Sequence, residues 1–187
     1  MKVRLNYSYK RFGAKFSEIP DGPAQNLRHG FAVLVGCVAR RGALMVFIDE
    51  FIVNSRTAKA YTWAKRGTSP SVHIGKRQES IKCCLAVSQH LVHSIQTQSK
   101  NFGAKDFLSF LDNNLSNWTR FSNSLGLPLV LIMDNAPYHR AKTVRKYMED
   151  NGIRALTTPP YSPDTNMAEI FINNVKSRVK AKRAMGR

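Results

Sequence analysis

Two short apolar runs, each followed by an aspartate, constrain the fold of this chain more than any other feature. Ala43–Ile48 precedes Asp49, and Leu129–Met133 precedes Asp134. Continuous apolar runs of this length are typical of strands that are covered on both faces of a sheet. In an open α/β sheet, ligands bind outside the carboxyl ends of the strands. Each aspartate is therefore a candidate site residue, although either one alone could equally belong to a surface turn or a helix cap.

Glu169 is the third acidic candidate, and its surroundings support two interpretations. Asn166 could cap a final helix, which would place Glu169 at the third helical position of a capping box. Glu169 could instead join the two aspartates, with Asp164 as a competitor in the preceding loop. Glu50 competes with Asp49 in the same way, but side chains of neighbouring strand residues point to opposite faces, so only one of the two can face a site.

Hydrophobic patterning predicts an α/β chain in which a mixed sheet has helices on its faces. The first five predicted strands follow one another, which indicates an antiparallel meander, and the later elements alternate between helix and strand. The predicted strands are Ala43–Ile48, Phe51–Val53, Ala60–Trp63, Ser80–Ser88, Leu91–Gln96, Leu129–Met133 and Ile153–Leu156. The predicted helices are Asn26–Arg41, Ala104–Phe121, Lys142–Asn151 and Asn166–Lys182.

The net charge indicates a polyanionic partner. The chain has 29 Lys and Arg residues against 12 Asp and Glu residues, a formal charge of +17. Such a field attracts nucleic acid, while an acidic protein or a membrane surface remains a second interpretation. The denser basic stretches are Lys2–Lys15, Arg140–Lys146 and Lys176–Arg187. Each stretch alone is also compatible with a solvated helix face.

Other features of composition narrow the class of protein. A length of 187 residues favours one compact domain with an appendage. The sequence has neither an apolar run of membrane-spanning length nor a signal-peptide pattern, so we expect an intracellular protein. Cys37, Cys83 and Cys84 are odd in number and form no Cys-x-x-Cys pair, which predicts neither a disulfide framework nor a zinc site.

The spacing between the acidic residues indicates that they belong to one motif. Between Asp134 and Glu169 lie 169 − 134 − 1 = 34 residues. This stretch resembles the mariner superfamily of DDE transposases, where Asp-Asn-Ala-x-x-His is matched by Asp134–His139 and Pro-x-Tyr-Ser-Pro-Asp-x-Asn by Pro159–Asn166. The Phe-x-Asp-Glu of the first acid is matched by Phe47–Glu50. The likeness covers roughly residues 26–180 and includes Tyr61–Gly67.

The resemblance implies an RNase H-like fold, a mixed five-stranded sheet flanked by helices. It implies that Asp49, Asp134 and Glu169 are the catalytic residues and hold two Mg²⁺ (or Mn²⁺) ions roughly 3.5–4 Å apart. One ion would activate water to attack a DNA phosphate, and the other would stabilise the leaving 3′ oxygen. The freed 3′-OH could then join target DNA. The expected partners are double-stranded transposon ends and target DNA, with a homodimer as the assembly and the nucleus as the location in a eukaryotic host.

Two alternatives to an active transposase stay open. One is a catalytically inactive DNA-binding remnant, and the other is an RNase H-like nuclease outside transposition. The sequence departs from the usual family pattern at Met167 and Ala168, where Pro-Ile is common, and at Ile172, where Trp is common. We expect residues 1–25 to form a basic segment or linker left from a DNA-binding region, and residues 26–187 to form the catalytic domain.

Supporting roles fall to residues near the acids. Asn135 and His139 flank the second acid and could orient ligands or contact phosphate, although His139 could equally be a packed or exposed loop residue. Asn173, Lys176 and Lys180 share one helix face with Glu169 by their spacing. The candidate phosphate contacts are Arg140, Lys142, Arg145, Lys146, Lys176, Arg178 and Lys180.

Overall fold

A five-stranded sheet forms the centre of the computed structural model, which describes residues 23–53, 80–160 and 162–184. The helices are α1 (Pro23–Arg40), α2 (Ala104–Ser124), α3 (Lys142–Asp150) and α4 (Ala168–Ala184). The strands are β1 (Leu44–Val53), β2 (Ile81–Val87), β3 (Val92–Gln98), β4 (Leu129–Met133) and β5 (Arg154–Thr157). A 3₁₀ turn, Pro163–Thr165, precedes α4.

The sheet is mixed, with the strand order β3-β2-β1-β4-β5. β1, β2 and β3 pair antiparallel, whereas β1 with β4 and β4 with β5 pair parallel. The predicted α/β class, with helices on both faces of a mixed sheet, is confirmed. The predicted strand Ala60–Trp63 and most of the segment 1–25 lie outside the described residues. None of the described helices is long and apolar enough to cross a membrane.

The predicted break between the first two strands is wrong, because β1 runs continuously through Asp49 and Glu50 to Val53. β2 pairs with β1 along this whole stretch, from Phe47 opposite Val87 to Val53 opposite Ile81. These backbone hydrogen bonds hold the charged residues in the strand despite their polarity. Asp49 therefore lies within a strand and not at its end.

Burial alternates along β1 and divides the core into two layers. Leu44, Val46 and Ile48 pack on the side of α2 and α3. Met45 and Phe47 pack on the opposite side, against residues of α1 and α4. Because side chains alternate along a strand, Asp49 belongs to the α1–α4 face and Glu50 to the α2–α3 face. The three cysteines are free, as predicted, and Cys83 and Cys84 are buried.

α1 covers the sheet with a face that differs from its most obvious apolar stripe. Phe31 is buried, and Val35 and Val38 pack against the same cluster. Leu27 and Leu34 lie four and three residues from Phe31, a spacing that places residues on the same helix face, but they remain 56% and 54% exposed. Three-dimensional packing selected one of two overlapping apolar stripes on this helix.

Removing a ring from the α2 layer should destabilise the domain. Phe110 is fully buried and lies 5.8 Å from Trp118, between ring centroids. Phe110→Ala should lower the free energy of unfolding by about 3–5 kcal/mol, through lost burial and the cavity left behind. Urea denaturation would measure this loss. Thr119→Ala, on the exposed side of α2, is the control and should change stability by less than about 0.5 kcal/mol.

Candidate active site

The parallel pairing of β1 with β4 brings the two predicted aspartates to the same level. The register runs from Leu44 opposite Leu129 to Phe47 opposite Ile132. Two further residues along each strand lead to Asp49 and Asp134. Neighbouring strands lie about 4.8 Å apart, so the two side chains start from adjacent positions. The pairing of the strands thus accounts for the closeness of two residues that are far apart in the sequence.

The surroundings of Asp49 disfavour the negatively charged form of its side chain. Burial raises its pKa to about 7, opposed by a hydrogen bond from the Glu50 backbone and reinforced by the negative charges of Glu50, Glu169 and Asp134. The N–H of Glu50 donates to Oδ1 at 2.7 Å. These interactions show that three other carboxylates are close enough to affect Asp49, and that its ionised form is disfavoured in the absence of a cation.

Asn166 joins the start of α4 to Asp49. Its Nδ2 donates to Asp49 Oδ2 at 2.9 Å, and its Oδ1 accepts from the N–H of Ala168 at 3.0 Å. Asn166 therefore caps α4, in part as predicted, but the helix begins at Ala168 and Glu169 is its second residue. The same side chain both starts the helix that carries Glu169 and binds Asp49.

An open cleft of about 570 Å³ lies beside these groups. Glu169 and Asn173 line it from α4, and Asp164 lines it from the preceding turn. The other lining residues are Phe47, Thr165, Asn166, Met167 and Ile170. The structure thus brings Glu169 to a cleft that is also lined by Asn166, the hydrogen-bond partner of Asp49, on the face of the sheet that carries α1 and α4.

Arg28 of α1 contacts the loop that leads into this cleft, a role that no local pattern of residues indicates. Its Nε donates to Ser162 Oγ at 2.8 Å, and its guanidinium lies 4.0 Å from Asp164. Ser162 also accepts a backbone hydrogen bond from Thr165 at 3.1 Å. These contacts connect α1 with the turn that precedes Asn166.

His139 is a buried bridge and not an exposed loop residue. Its Nδ1 lies 2.9 Å from Asp134 Oδ1, and its Nε2 lies 3.2 Å from Glu50 Oε1. Burial opposes the charged ring, but the hydrogen bonds to Asp134 and Glu50 outweigh it and raise the pKa of His139 to about 9. The hydrogen bond from His139 in turn lowers the pKa of Asp134, with burial opposing. At neutral pH, Asp134 is therefore ionised.

The predicted basic residues fall into two groups. Lys176 and Lys180 lie on the α4 face that begins with Glu169, and the Lys176 ammonium is 6.0 Å from the centre of the Phe51 ring. Arg178 is exposed on a different side of α4. The group at α3 is exposed and comprises Arg140, Lys142, Arg145 and Lys146. Lys146 in addition pairs with Asp150 at 3.2 Å. Asn135 is exposed directly after Asp134.

A family model for DDE superfamily endonucleases matches residues 44–187. The chain belongs to the DDE superfamily of endonucleases. None of the curated proteins matches the chain. The matched range includes all five strands of the described residues and confirms the superfamily that the acidic motifs indicated.

Solved structures of Mos1 mariner transposase share the fold of the DDE domain. The Mos1 paired-end complex with the left transposon end has a TM-score of 0.71 and 17% identity, over 95% of this chain and 53% of that chain. The Mos1 catalytic domain has a TM-score of 0.64 and 17% identity, over 88% of this chain and 74% of that chain. A paired-end complex with Mg has a TM-score of 0.65 and 18% identity, over 83% of this chain and 48% of that chain.

These likenesses confirm the predicted RNase H-like fold, as in the Mos1 catalytic domain. The chain spans about half the length of the Mos1 chain in the paired-end complex, 53%. At such identities the likeness is one of fold. The roles of individual residues in the DDE domain therefore depend on its own geometry.

Neutralising Asp49 should stabilise the DDE domain at alkaline pH. The pKa of Asp49 in the folded protein, about 7, is above the usual 3.8. The contribution of this carboxyl group to stability is therefore complete below pH 3.8 and is lost as the pH rises through 7. Asp49→Asn removes this loss and should raise the free energy of unfolding at pH 8 by roughly 2 kcal/mol, and by less at pH 4.5. Thermal unfolding at both pH values would measure the difference.

The matched control for this stability test is Glu149→Gln on the exposed surface of α3. It removes one negative charge at a distance from the cleft and should leave the stability difference between the two pH values as in the wild type. If the stability of Asp49→Asn depends on pH as that of the wild type does, the raised pKa of Asp49 is contradicted.

Proposed function

We propose that the DDE domain is a metal-dependent DNA endonuclease and strand transferase of transposase type. It would cleave and join phosphodiesters at transposon ends, with Asp49, Asp134 and Glu169 as its catalytic and metal-binding residues. The observation that carries this proposal is the meeting of three separate segments, β1, the end of β4 and the start of α4, at one carboxylate cluster with a raised Asp49 pKa. A bound cation would favour the ionised form of Asp49, which burial and, to a lesser degree, the nearby negative charges disfavour.

The donor set suits hard divalent cations. Asp49, Asp134 and Glu169 offer carboxylate oxygens, the ligands preferred by Mg²⁺ and Mn²⁺. Solved Mos1 structures with similar folds include complexes with Mg and with Mn. When bound, two such ions would supply water activation and stabilisation of the charge on the leaving oxygen.

The protein's own residues orient the acids. Asn166 holds one oxygen of Asp49, and both the His139 ring and the N–H of Ala136 donate to Oδ1 of Asp134, each at 2.9 Å. Within the described part of the chain no hydrogen bond reaches Oδ2 of Asp134, which could therefore bind a cation. Such fixed carboxylates lose less freedom when a cation binds, since their orientation is set before binding.

DNA would approach along the open side of the cleft. Lys176 and Lys180 continue the α4 face that carries Glu169 and Asn173, so their ammonium groups would meet the phosphates beside the scissile bond. Arg140, Lys142, Arg145, Lys146 and Arg178 are further proposed contacts. The net charge of +17 supports binding to a polyanion. Solved Mos1 complexes contain a transposon end, which supports double-stranded transposon ends and target DNA as partners here.

The assembly and setting of this reaction are also proposals. We infer a homodimer that pairs two DNA ends, and a nuclear location if the host is eukaryotic. The division of the chain into a basic segment at residues 1–25 and a catalytic domain at residues 26–187 belongs to the same proposal. α1 packs on the sheet through Phe31, which supports its inclusion in the catalytic domain.

Cleavage of DNA in the presence of Mn²⁺ tests the proposed enzyme. Wild-type protein should nick duplex DNA that carries the element's end, and Asp134→Asn should reduce the rate at least 100-fold, since it removes an anionic ligand from the cation site. Gel analysis of labelled DNA would measure both. Glu149→Gln, on the exposed surface of α3 and away from the cleft, is the control and should cleave at the wild-type rate.

Binding to the same DNA separates the enzyme from an inactive remnant. If wild-type protein and Asp134→Asn bind the DNA equally and neither cleaves it, the remnant is the correct interpretation. If the wild-type protein cleaves the DNA with Mn²⁺ but not with EDTA, the metal-dependent enzyme is the correct interpretation. A DNA 3′-end joined to a target plasmid would extend the result to strand transfer.

The α4 cations should contribute to DNA affinity through phosphate contacts. The double variant Lys176→Gln with Lys180→Gln should weaken binding and reduce the slope of log affinity against log salt by about 2, one for each lost contact. Fluorescence anisotropy across a range of KCl concentrations would measure the slope. The control, Lys100→Gln with Lys105→Gln near the start of α2, removes equal charge on the other face and should change the slope by less.

A further inference from the structure

The His139 ring lies between two carboxylates from different parts of the sheet. Nδ1 faces Asp134 Oδ1 at 2.9 Å, and Nε2 faces Glu50 Oε1 at 3.2 Å. Nδ1 also lies 3.1 Å from the backbone carbonyl oxygen of Asp134, which can only accept, so Nδ1 donates. A ring that carries a proton on each nitrogen also donates to Glu50 from Nε2. Glu50, His139 and Asp134 thus form a continuous chain of hydrogen bonds from the α2–α3 face of β1 to the end of β4.

Aromatic packing fixes the ring in this orientation. The His139 side chain is 2% exposed. Its ring centroid lies 4.2 Å from that of Phe107 and 4.4 Å from that of Tyr138. Rotation of the imidazole would break both hydrogen bonds within this packed environment. The position of the ring, and with it the position of the Asp134 carboxylate, therefore depends on Glu50.

Glu50 lies at the end of this hydrogen-bond chain that is farther from Asp134. Its side chain is 17% exposed, and besides His139 it accepts a hydrogen bond from Cys84 Sγ at 3.7 Å. Burial, together with the nearby Glu50 carboxylate, raises the pKa of Tyr138. The side chains of His139 and Cys84 thus hold Glu50 on the face of β1 opposite to Asp49.

Asp134 depends on hydrogen bonds for its orientation because its side chain is 50% exposed. The N–H of Ala136 donates to Oδ1 at 2.9 Å. His139 Nδ1 lies 2.9 Å from the same oxygen and 3.1 Å from the backbone carbonyl oxygen of Asp134, so its N–H is shared between the two. Loss of the ring's donation would leave one hydrogen bond, about which the carboxylate could turn. The direction of Oδ2 is therefore set largely by the position of His139.

We propose that Glu50 is a positioning residue, which holds His139 so that the ring fixes Oδ1 of Asp134 and leaves Oδ2 for a divalent cation. The part played by the cation rests on the proposed function. Outer partners of this kind orient ligands that bind metals and are often needed for affinity. Glu50 thereby gains a role that differs from that of Asp49, its neighbour in sequence.

A metal ion between these three residues is a less suitable interpretation. Ligand atoms of Glu50, Asp134 and His139 lie within 4.8 Å of one another. However, the two carboxylates contact different nitrogens of one ring, which diverge from each other. One ion cannot take both nitrogens, whereas a ring that donates at both satisfies all three groups.

Mn²⁺ binding tests the proposal without DNA. Titration of wild-type protein with Mn²⁺, followed by the EPR signal of the free ion, should show binding that Glu50→Ala weakens by about 10- to 100-fold. Glu50→Gln retains an oxygen acceptor and should weaken it less. Glu149→Gln, which removes a surface charge from α3, should bind Mn²⁺ as the wild type does.

Two further measurements distinguish positioning from a merely structural role. In cleavage of end-containing DNA, Glu50→Ala should lower kcat by a similar factor and leave KM for DNA within about twofold, since Glu50 does not face the DNA cleft. In ¹⁵N NMR of the metal-free protein, the His139 Nδ1–H signal should shift or broaden in Glu50→Ala but not in Glu149→Gln. Circular dichroism and thermal unfolding would verify that each variant is folded.

The outcomes are separable. A folded Glu50→Ala protein with wild-type Mn²⁺ affinity and kcat overturns the positioning role. Failure of both Glu50→Ala and Glu50→Gln to fold also overturns it, because Glu50 would then be structural. Wild-type protein that neither binds Mn²⁺ nor cleaves DNA overturns the proposed function, and with it the cation-holding part of this proposal, even if the NMR signal of His139 responds to Glu50→Ala.

Discussion

The parallel pairing of β1 with β4 is the interaction on which the candidate site depends. It sets Asp49 and Asp134 side by side, although 84 residues (134 − 49 − 1 = 84) separate them in the chain. β2 extends the ladder of β1 beyond the end of β4, so Asp49 is held in a rigid strand at the level where Asp134 enters a turn. The two carboxylates therefore differ in freedom, since one is fixed by backbone pairing and the other by side-chain hydrogen bonds.

The two faces of β1 give two neighbouring acids different surroundings. Asp49 meets Asn166 and the start of α4, where burial and like charges disfavour its ionised form. Glu50 meets His139, a positively charged partner. One face thus accumulates negative charge that a cation would neutralise, while the other face neutralises its own charge within the protein. Strand alternation places the two acids on opposite faces, and the residues that pack against each face produce this contrast.

The elements that carry the candidate site, and its family, could largely be predicted from the residues. The apolar runs indicated β4 and most of β1, and the spacing of the acids with Pro159–Asn166 indicated the DDE superfamily, which the family match confirms. The predicted end of the first strand was wrong because β2 supplies hydrogen bonds to Asp49 and Glu50. The role of His139 could not be decided either, since its partner Glu50 lies 89 residues away in the sequence.

The sequence by itself determined the types of side chain, their order and the local elements that carry them, because these depend on periodicity and short-range patterns. Only the tertiary structure decided which acid of the pair Asp49 and Glu50 lies on the sheet face that carries α4, and which residues of α1 are buried. It also decided that Asn166 and His139 each contact an aspartate. The physical reason is that these outcomes depend on strand register and on contacts between distant segments. Local sequence patterns carry no information about the direction in which such segments meet.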